Sequence, residues 1–403
     1  MAWMIREDQL DPVQREFINV ESKKSGNIWV KGFAGSGKSV LLIHSLMDTL
    51  VKEPNSQVVV LVFTHALKDM FEIGINELKP YYKITRNIPV KTYYDFVDKD
   101  NVNYDFIFCD EVQDLPAKVL YAMNNRARRI VVAGDSNQSI YQTDPKWFEK
   151  VVDSNSIGDI ISARPFELTI IHRLTKSIIG IVNKLIPNMN IWQAKPDHTK
   201  VDVQVNLFEA DSINEEVIYV YDEAAKWANI KEKSVILLPT HTAIVTFFQT
   251  LLLAKNKPQW NFKPISWDVG KPKDKQRPDY DNLNSHLKSN SLKIQYIGNN
   301  QGSFNLAEKE NNIIVMTYHS SKGLDFDNVF LPFLNNSLFI SPFNEETLLM
   351  VALTRSKKNL NITYFGICNN LIDNFKSNCN RKDISEILNP TKSNTNNGNV
   401  FDF

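Results

Sequence analysis

Apolar residues fall in two rhythms along the chain. Residues 58–64, 105–109 and 130–133 are compact apolar runs with the density of strands buried on both faces, and Asn27-Ile28-Trp29-Val30-Lys31 is a shorter run of the same kind. Between them, residues 40–51 repeat apolar positions at helical spacing. Asp11-Pro12 offers a cap and a first-turn proline for an earlier helix. A second series follows, with strands expected over 234–238, 313–317, 329–331 and 360–364 and helices over 242–253 and 345–353. This alternation predicts an α/β fold with largely parallel sheets, in two domains over residues 1–165 and 166–385. The pattern breaks over 255–287, which reads as an irregular insert or long loop. Residues 386–403, rich in Asn, Ser and Thr, are expected to be disordered. No solenoid-type repeat is present.

At 403 residues the chain can build two proper cores, and 43% hydrophobic with 23% charged residues places it among ordinary globular proteins. No apolar stretch approaches a membrane span, and Met1 to Asp8 lack the basic-then-apolar order of a secretion signal. Cys109, Cys368 and Cys379 show neither metal spacing nor a disulfide framework, so a reducing, cytoplasmic setting without a membrane partner is expected. The formal net charge is zero, so any nucleic-acid contact must come from local basic patches. The insert is one candidate. Lys255, Lys257, Lys263, Lys271, Lys273, Lys275 and Arg277 are interleaved with Trp260, Phe262 and Trp267, a mixture suited to nucleic acid or to a protein partner. It equally suits a solvated loop with a few anchoring aromatics. The tail, ending Val400-Phe401-Asp402-Phe403, is a second place where a partner could dock.

Two segments carry chemistry. Gly32-Phe33-Ala34-Gly35-Ser36-Gly37-Lys38-Ser39 is a complete G-x-x-x-x-G-K-S loop between an expected strand and an expected helix. Its glycines let backbone N–H groups converge on phosphates, and the following helix adds its positive end. Lys38 is expected to reach the β- and γ-phosphates of ATP and Ser39 to ligate Mg²⁺. Asp110 and Glu111 close the run Phe106-Ile107-Phe108-Cys109, where a carboxylate at a parallel strand's end faces the ligand crevice. Asp110 would hold the Mg²⁺ and Glu111 would polarise the attacking water. In Gly134-Asp135-Ser136-Asn137-Gln138-Ser139-Ile140-Tyr141, Gln138 is placed to contact the γ-phosphate or its water.

In this order the segments resemble the superfamily 1 helicases of the UvrD/Rep type, from residue 10 to about residue 365. Leu10-Asp11-Pro12-Val13-Gln14 resembles the Q motif, Val62-Phe63-Thr64-His65-Ala66 motif Ia, and Thr92-Tyr93-Tyr94-Asp95-Phe96 a strand-contacting segment. Asp110 to Asp114 resembles motif II, Gly134 to Tyr141 motif III, and Ile171-His172-Arg173 motif IV. Thr317-Tyr318-His319-Ser320-Ser321-Lys322-Gly323-Leu324-Asp325-Phe326 resembles motif V, and Val351-Ala352-Leu353-Thr354-Arg355-Ser356-Lys357 motif VI. The resemblance implies two RecA-like P-loop domains with the nucleotide in the cleft between them. Gln14 would read adenine and His172 would stack on it. Gly323 and Asp325 would meet the nucleotide, Asp325 at the ribose. Arg173 and Arg355 would stabilise γ-phosphate charge from across the cleft. Thr64, His65, Tyr93, Tyr94, Tyr141, Thr317 and His319 would line the track of a single strand, with DNA the expected strand. Taken without the family, Tyr93-Tyr94 also fits a half-buried strand pair.

The chain departs from the family in three ways. The short spacing between motifs Ia and II leaves no room for an accessory subdomain there, and most of the stretch between motifs IV and V is needed for the second core domain. His172 stands where the family stacks a tyrosine. After Tyr141 the family's Trp-Arg-Gly run is replaced by Gln142-Thr143-Asp144-Pro145-Lys146-Trp147-Phe148, whose aromatics suit either a shifted base-stacking position or the opening of a helix. The resemblance implies an ATP-dependent 3′→5′ translocase or helicase on single-stranded DNA. The departures leave a second reading open: an ATP-dependent regulatory or sensor subunit of a larger nuclease or phage-defence assembly.

Overall fold

The computed structural model describes residues 3–135, 139–144, 146–172, 174–189, 195–196, 200–272, 276–342 and 344–388. The disorder expected of the tail therefore concerns residues that, apart from 386–388, lie outside the described ones.

Two parallel sheets organise the chain. The first holds strands β1 (Asn27–Gly32), β2 (Val58–Val62), β3 (Val90–Thr92), β4 (Tyr104–Cys109), β5 (Ala127–Gly134) and β6 (Ala163–Leu168), in the order β3-β2-β4-β5-β1-β6. A two-residue pair, β7 (Ile170–Ile171) with β8 (Lys195–Pro196), follows. The second sheet holds β9 (Gln204–Ala210), β10 (Ser234–Leu238), β11 (Ile294–Tyr296), β12 (Ile313–Thr317), β13 (Phe326–Leu331), β14 (Ser356–Phe365) and β15 (Asn380–Asp383), in the order β11-β12-β10-β13-β14-β9-β15. Strand β6 pairs with β1 through Leu168, so the boundary expected near residue 165 falls inside a strand of the first sheet.

Burial explains which strands were legible. All five residues of β2, β10 and β12 are buried, as continuous Val, Ile and Leu runs covered on both faces should be. Strand β15 is exposed throughout and β6 is only partly covered, so neither carries a strong apolar signature. Helix Pro12–Asn19 starts as expected: Asp11 accepts from the Gln14 amide while the Gln14 side chain returns to the Asp11 N–H, with Pro12 at the first position.

The insert is not irregular to its end. Tyr280–Ser289 is a helix whose Tyr280, Leu283 and Leu287 are buried in the second domain's core. Trp260 is buried beside it and its Nε1–H donates to Asn282 Oδ1 at 2.9 Å. Lys255 pairs with Asp222 at 2.6 Å. These residues anchor the segment to its own domain.

One buried carboxyl stands apart from the cleft. Glu216, on helix Ile213–Asn229, is 0% exposed; its Oε1 accepts from the Phe333 N–H and from Thr363 Oγ1, both at 2.7 Å. Burial pushes its pKa up to about 7, from an ordinary value of 4.5. Folded protein therefore holds a proton between those pH values that unfolded protein releases, so this group lowers stability as pH rises through that window, by about 3 kcal/mol in full. Glu216→Gln should remove that slope. The expected result is a variant that gains stability over wild type from pH 5 to pH 8, read by denaturant titration across that range.

Candidate functional site: two cavities between the domains

The phosphate loop leaves β1 and enters helix Lys38–Lys52 through Gly35 and Gly37, at φ of 78° and 86°. Both values lie where only glycine is unstrained. A Cβ on Gly37 would lie 2.3 Å from Gln14 Nε2, and one on Gly32 2.4 Å from Ser36 Oγ. Gln14 is buried, and its Nε2 donates to the Ser36 carbonyl at 3.1 Å. Expected to read adenine, it also props the loop. Lys38 Nζ lies across the loop, donating to the carbonyls of Gly32 at 2.8 Å and Phe33 at 3.0 Å.

Ser39 and Asp110 meet at the foot of the loop, Oγ donating to Oδ2 at 2.6 Å. Glu111 follows at φ 55°, a left-handed conformation that is costly for a glutamate and turns the chain back over the site. Its Oε2 accepts from Gln113 Nε2 at 2.6 Å, while Gln113 Oε1 accepts from the Asp135 N–H at 3.1 Å. A Cβ on Gly134 would lie 2.4 Å from that Oε1, so glycine at the end of β5 lets Gln113 approach. The two neighbouring carboxylates differ. Burial, then the charge of Glu111, pushes Asp110 up to about 7. Burial opposes charge on Glu111 too, but the nearby Lys322 and Lys38 outweigh it and hold Glu111 below its ordinary value.

The second domain closes this site from the opposite side. Arg355 is buried, and its guanidinium donates to the carbonyls of Val351 at 2.7 Å and Leu324 at 3.0 Å and to Thr354 Oγ1 at 2.9 Å. Lys322 reaches from the second domain to Asp114 of the first, both side chains 0% exposed, and stands 3.6 Å from Glu111 Oε2. Gly323, at φ 77°, lies so close that a Cβ would be 3.3 Å from Glu111 Oε1. Asp325 faces Lys357 at 3.3 Å. His172 Nε2 is 2.6 Å from Asp11 Oδ2, and the His172 backbone N–H donates to the Gly35 carbonyl at 2.9 Å. A cavity of about 530 Å³ gathers Lys38, Ser39 and Glu111 from one side and Gly323, Asp325 and Arg355 from the other. Gln14, Ala34, Gly35, Gly37 and His172 also line it. Gln138 and Arg173 lie outside the described residues.

The donor set fits a nucleoside triphosphate with Mg²⁺. Ser36 Oγ, inside the loop, is buried with no partner among the described residues, and the Ser39–Asp110 pair is a hydroxyl–carboxylate set of the kind that binds a hard cation.

A second cavity, of about 670 Å³, runs beside the first. Thr64, His65, Tyr93, Tyr94 and Tyr141 form its first-domain wall. Ile265, Ser266, Arg277, Asn299 and Asn300 line it from the second domain. Thr64 caps helix His65–Leu78 by accepting from the Leu67 N–H. Tyr93 and Tyr94 open helix Tyr93–Lys99 instead of forming a strand pair, because Thr92 caps it through the Asp95 N–H. Tyr93 is only 1% exposed and donates its hydroxyl to Asp144 Oδ2 at 2.6 Å, so it offers an edge and not a free face. Tyr94 donates to the same oxygen at 3.0 Å. Thr317 is turned inward and donates to Ser320 Oγ at 2.8 Å, while His319 lies behind the wall with its ring 5.4 Å from Tyr141. Neither belongs to the groove surface.

The segment after Tyr141 does not open a helix. Asp144 Oδ1 accepts from the N–H groups of Lys146 and Trp147, which makes a turn. Trp147 packs edge-on against Tyr94 with centroids 5.0 Å apart, while Phe148 is 80% exposed.

Sequence reasoning assigned no role to Asp114, Gln113, Lys322, Asp144, Asn299 or Asn300. Asp114 and Lys322 lay inside quoted motifs, but 208 positions separate them and no local pattern pairs them. For Asn299 and Asn300 the turn signal Gly298-Asn299-Asn300-Gln301-Gly302 was readable.

Two family models match the sequence: an AAA domain over residues 14–144 and a UvrD-like helicase C-terminal domain over residues 268–366, together more than half of the chain. No curated protein matches it. Among solved structures, the nonstructural protein 10 helicase of an arterivirus is 15% identical with a TM-score of 0.39, covering 90% of this chain and 64% of its own. The same helicase in complex with DNA gives 15% identity, the same coverages and a TM-score of 0.42. The C-terminal domain of a possible DNA helicase from a Lactobacillus is 15% identical with a TM-score of 0.33, covering 52% of this chain and 98% of its own. Likenesses this distant carry no argument about activity, and the chain spans less than two thirds of the arterivirus protein. Among the described residues no helix is long and apolar enough to cross a membrane.

The ion pair between Asp114 and Lys322 generates a stability prediction. Lys322→Met strands Asp114 in a dry interface, so it should destabilise the protein by roughly 3–5 kcal/mol. Adding Asp114→Asn should recover a large part of that loss. Denaturant unfolding of both variants checks it: a double variant no more stable than Lys322→Met would show that the pair does not compensate its own burial.

Proposed function

The chain belongs to the UvrD-like superfamily 1 helicases, and from that premise we propose that it is an ATP-driven motor that moves along single-stranded DNA in the 3′→5′ direction. The observation that carries the reading is the single cavity that gathers Lys38, Ser39 and Glu111 from one RecA-like domain and Arg355 from the other. A site shared between two domains responds to nucleotide by changing their separation, which is what a stepping cycle needs.

The roles follow from the residues. Lys38 exchanges its two carbonyl partners for the β- and γ-phosphate oxygens, a gain in charge-assisted bonding. Ser39 and Asp110 would hold Mg²⁺, which would supply positive charge against the phosphates. Glu111, kept ionised and oriented by Gln113, orients the attacking water and accepts its proton. Arg355 is already oriented by two carbonyls and Thr354, so little reorganisation precedes its contact with the γ-phosphate. Gln138 and Arg173 are assigned to the γ-phosphate by their motifs. Bases would lie against Tyr94 and Tyr141, where stacking contributes about 1–3 kcal/mol per base without sequence preference.

Steady-state ATP hydrolysis with and without single-stranded DNA tests the reading. DNA should raise kcat, and Lys38→Ala should lower the stimulated rate by about 10²–10³-fold. Hydrolysis indifferent to DNA in the wild-type protein would overturn the motor and favour a nucleotide-dependent subunit of a larger assembly.

A further inference from the structure

The second-domain wall of the 670 Å³ groove carries an unusual turn. Asn299 and Asn300 have φ of 49° and 62°, the one place among the described residues where two consecutive non-glycine residues are left-handed. Gly298 and Gln301 close the turn reciprocally: Gly298 N–H donates to the Gln301 carbonyl at 3.0 Å and Gln301 N–H to the Gly298 carbonyl at 2.9 Å. Asparagine tolerates these angles better than most residues but still at a cost.

The turn is built in, not merely exposed. Gln301 Oε1 accepts from the N–H of Tyr280 at 2.6 Å, and Gly302 N–H donates to Asp281 Oδ1 at 2.9 Å, which ties it to the start of helix Tyr280–Ser289. Beneath it Tyr280 and Tyr296 stack with centroids 3.5 Å apart. A Cβ on Gly298 would lie 2.6 Å from the Tyr296 hydroxyl and 3.1 Å from Ser320 Oγ, so the turn presses against the motif V loop. His241 lies against the same two tyrosines. Burial, with the charge of Arg277, holds its pKa down at about 4, so the ring is neutral. Its Nδ1–H donates to the Tyr280 hydroxyl at 2.7 Å and its Nε2 accepts from Asn299 Nδ2–H at 3.2 Å. A neutral imidazole thus fixes the rotamer of an exposed amide that lines the groove. The opposite wall presents Thr64, His65, Tyr94 and Tyr141.

We propose that the Asn299–Asn300 turn is a nucleic-acid backbone grip, in which the two side-chain amides donate hydrogen bonds to phosphodiester oxygens of a single strand whose bases lie against the tyrosines opposite, with His241 as the positioning residue for Asn299. The inference rests on the strand-binding part of the proposed function. A division of labour follows: the first domain holds bases by their faces, the second holds the backbone by oriented neutral donors. Contact with the motif V loop links that grip to Lys322 and Gly323, only a few residues further on at the nucleotide cavity. Neutral donors add affinity without neutralising phosphate charge, so their loss should leave the salt dependence of binding unchanged.

The test is fluorescence anisotropy of the full chain with a labelled oligothymidylate over a range of salt. Asn299→Gly with Asn300→Gly keeps the left-handed backbone and removes only the amides. It should raise Kd about tenfold, with an unchanged salt slope. Asn299→Asp, which points a negative charge at the strand, should weaken binding further. His241→Phe keeps a ring against the two tyrosines and removes both imidazole nitrogens, the one that donates to Tyr280 and the one that accepts from Asn299. It should weaken binding in the wild-type background and cost nothing more in the double-glycine background, a non-additivity that a merely structural histidine would not produce. Wild-type-like Kd values for the double-glycine and Asn299→Asp variants would overturn the grip and leave the motor reading standing. Failure of the wild-type chain itself to bind the oligonucleotide would overturn both.

Discussion

The structure depends on the balance of charge buried where the two domains meet. Asp110, Glu111 and Asp114 come from the end of one strand of the first sheet, and Lys322 and Arg355 come from the second domain. None of these five residues is more than 6% exposed. Charges withdrawn from water on this scale are tolerable only when they face one another, so the first domain's carboxylates need the second domain's cations. The interface is therefore defined by electrostatics as well as by apolar packing. The same balance sets the chemistry, because Lys322 and Lys38 keep Glu111 ionised while Asp110, next to it, is raised.

From that constraint the rest of the cleft follows. Parallel sheets deliver the ends of β1, β2, β4 and β5 to one edge of the first domain, and the end of β12 brings motif V against it. The nucleotide cavity forms where the loop after β1 and the carboxylates after β4 meet the second domain. The groove forms one step along the edge, where the residues after β2 and β3 face the insert and the Asn299–Asn300 turn. The motif V segment touches both, with Gly323 in one cavity and Ser320 in the other.

Asp144 shows how a short substitute segment can keep a surface in order. One buried carboxylate holds Tyr93 and Tyr94 by their hydroxyls and also closes the turn that seats Trp147 against them. The aromatic wall is thus fixed from behind, and Phe148 is left at the surface.

The sequence by itself determined the alternation of strands and helices, the phosphate loop, and the carboxylates at the end of β4. Each is a local pattern: buried parallel strands are continuous apolar runs, and the loop needs its glycines at set spacings. Strands 234–238 and 313–317 were legible to the residue for that reason, whereas exposed β15 and half-covered β6 were not. Only the tertiary structure decided which face each motif presents. Thr317 sits in a segment expected to contact a strand but spends its hydroxyl on Ser320, Tyr93 spends its own on Asp144, and the lysine-rich insert anchors Trp260 in the core while lending Ile265, Ser266 and Arg277 to the groove. The pairing of Lys322 with Asp114, and of His241 with Asn299, joins residues far apart in the chain. Those choices depend on which partner relieves the cost of burying a polar group, and that partner is supplied only when the two domains come together.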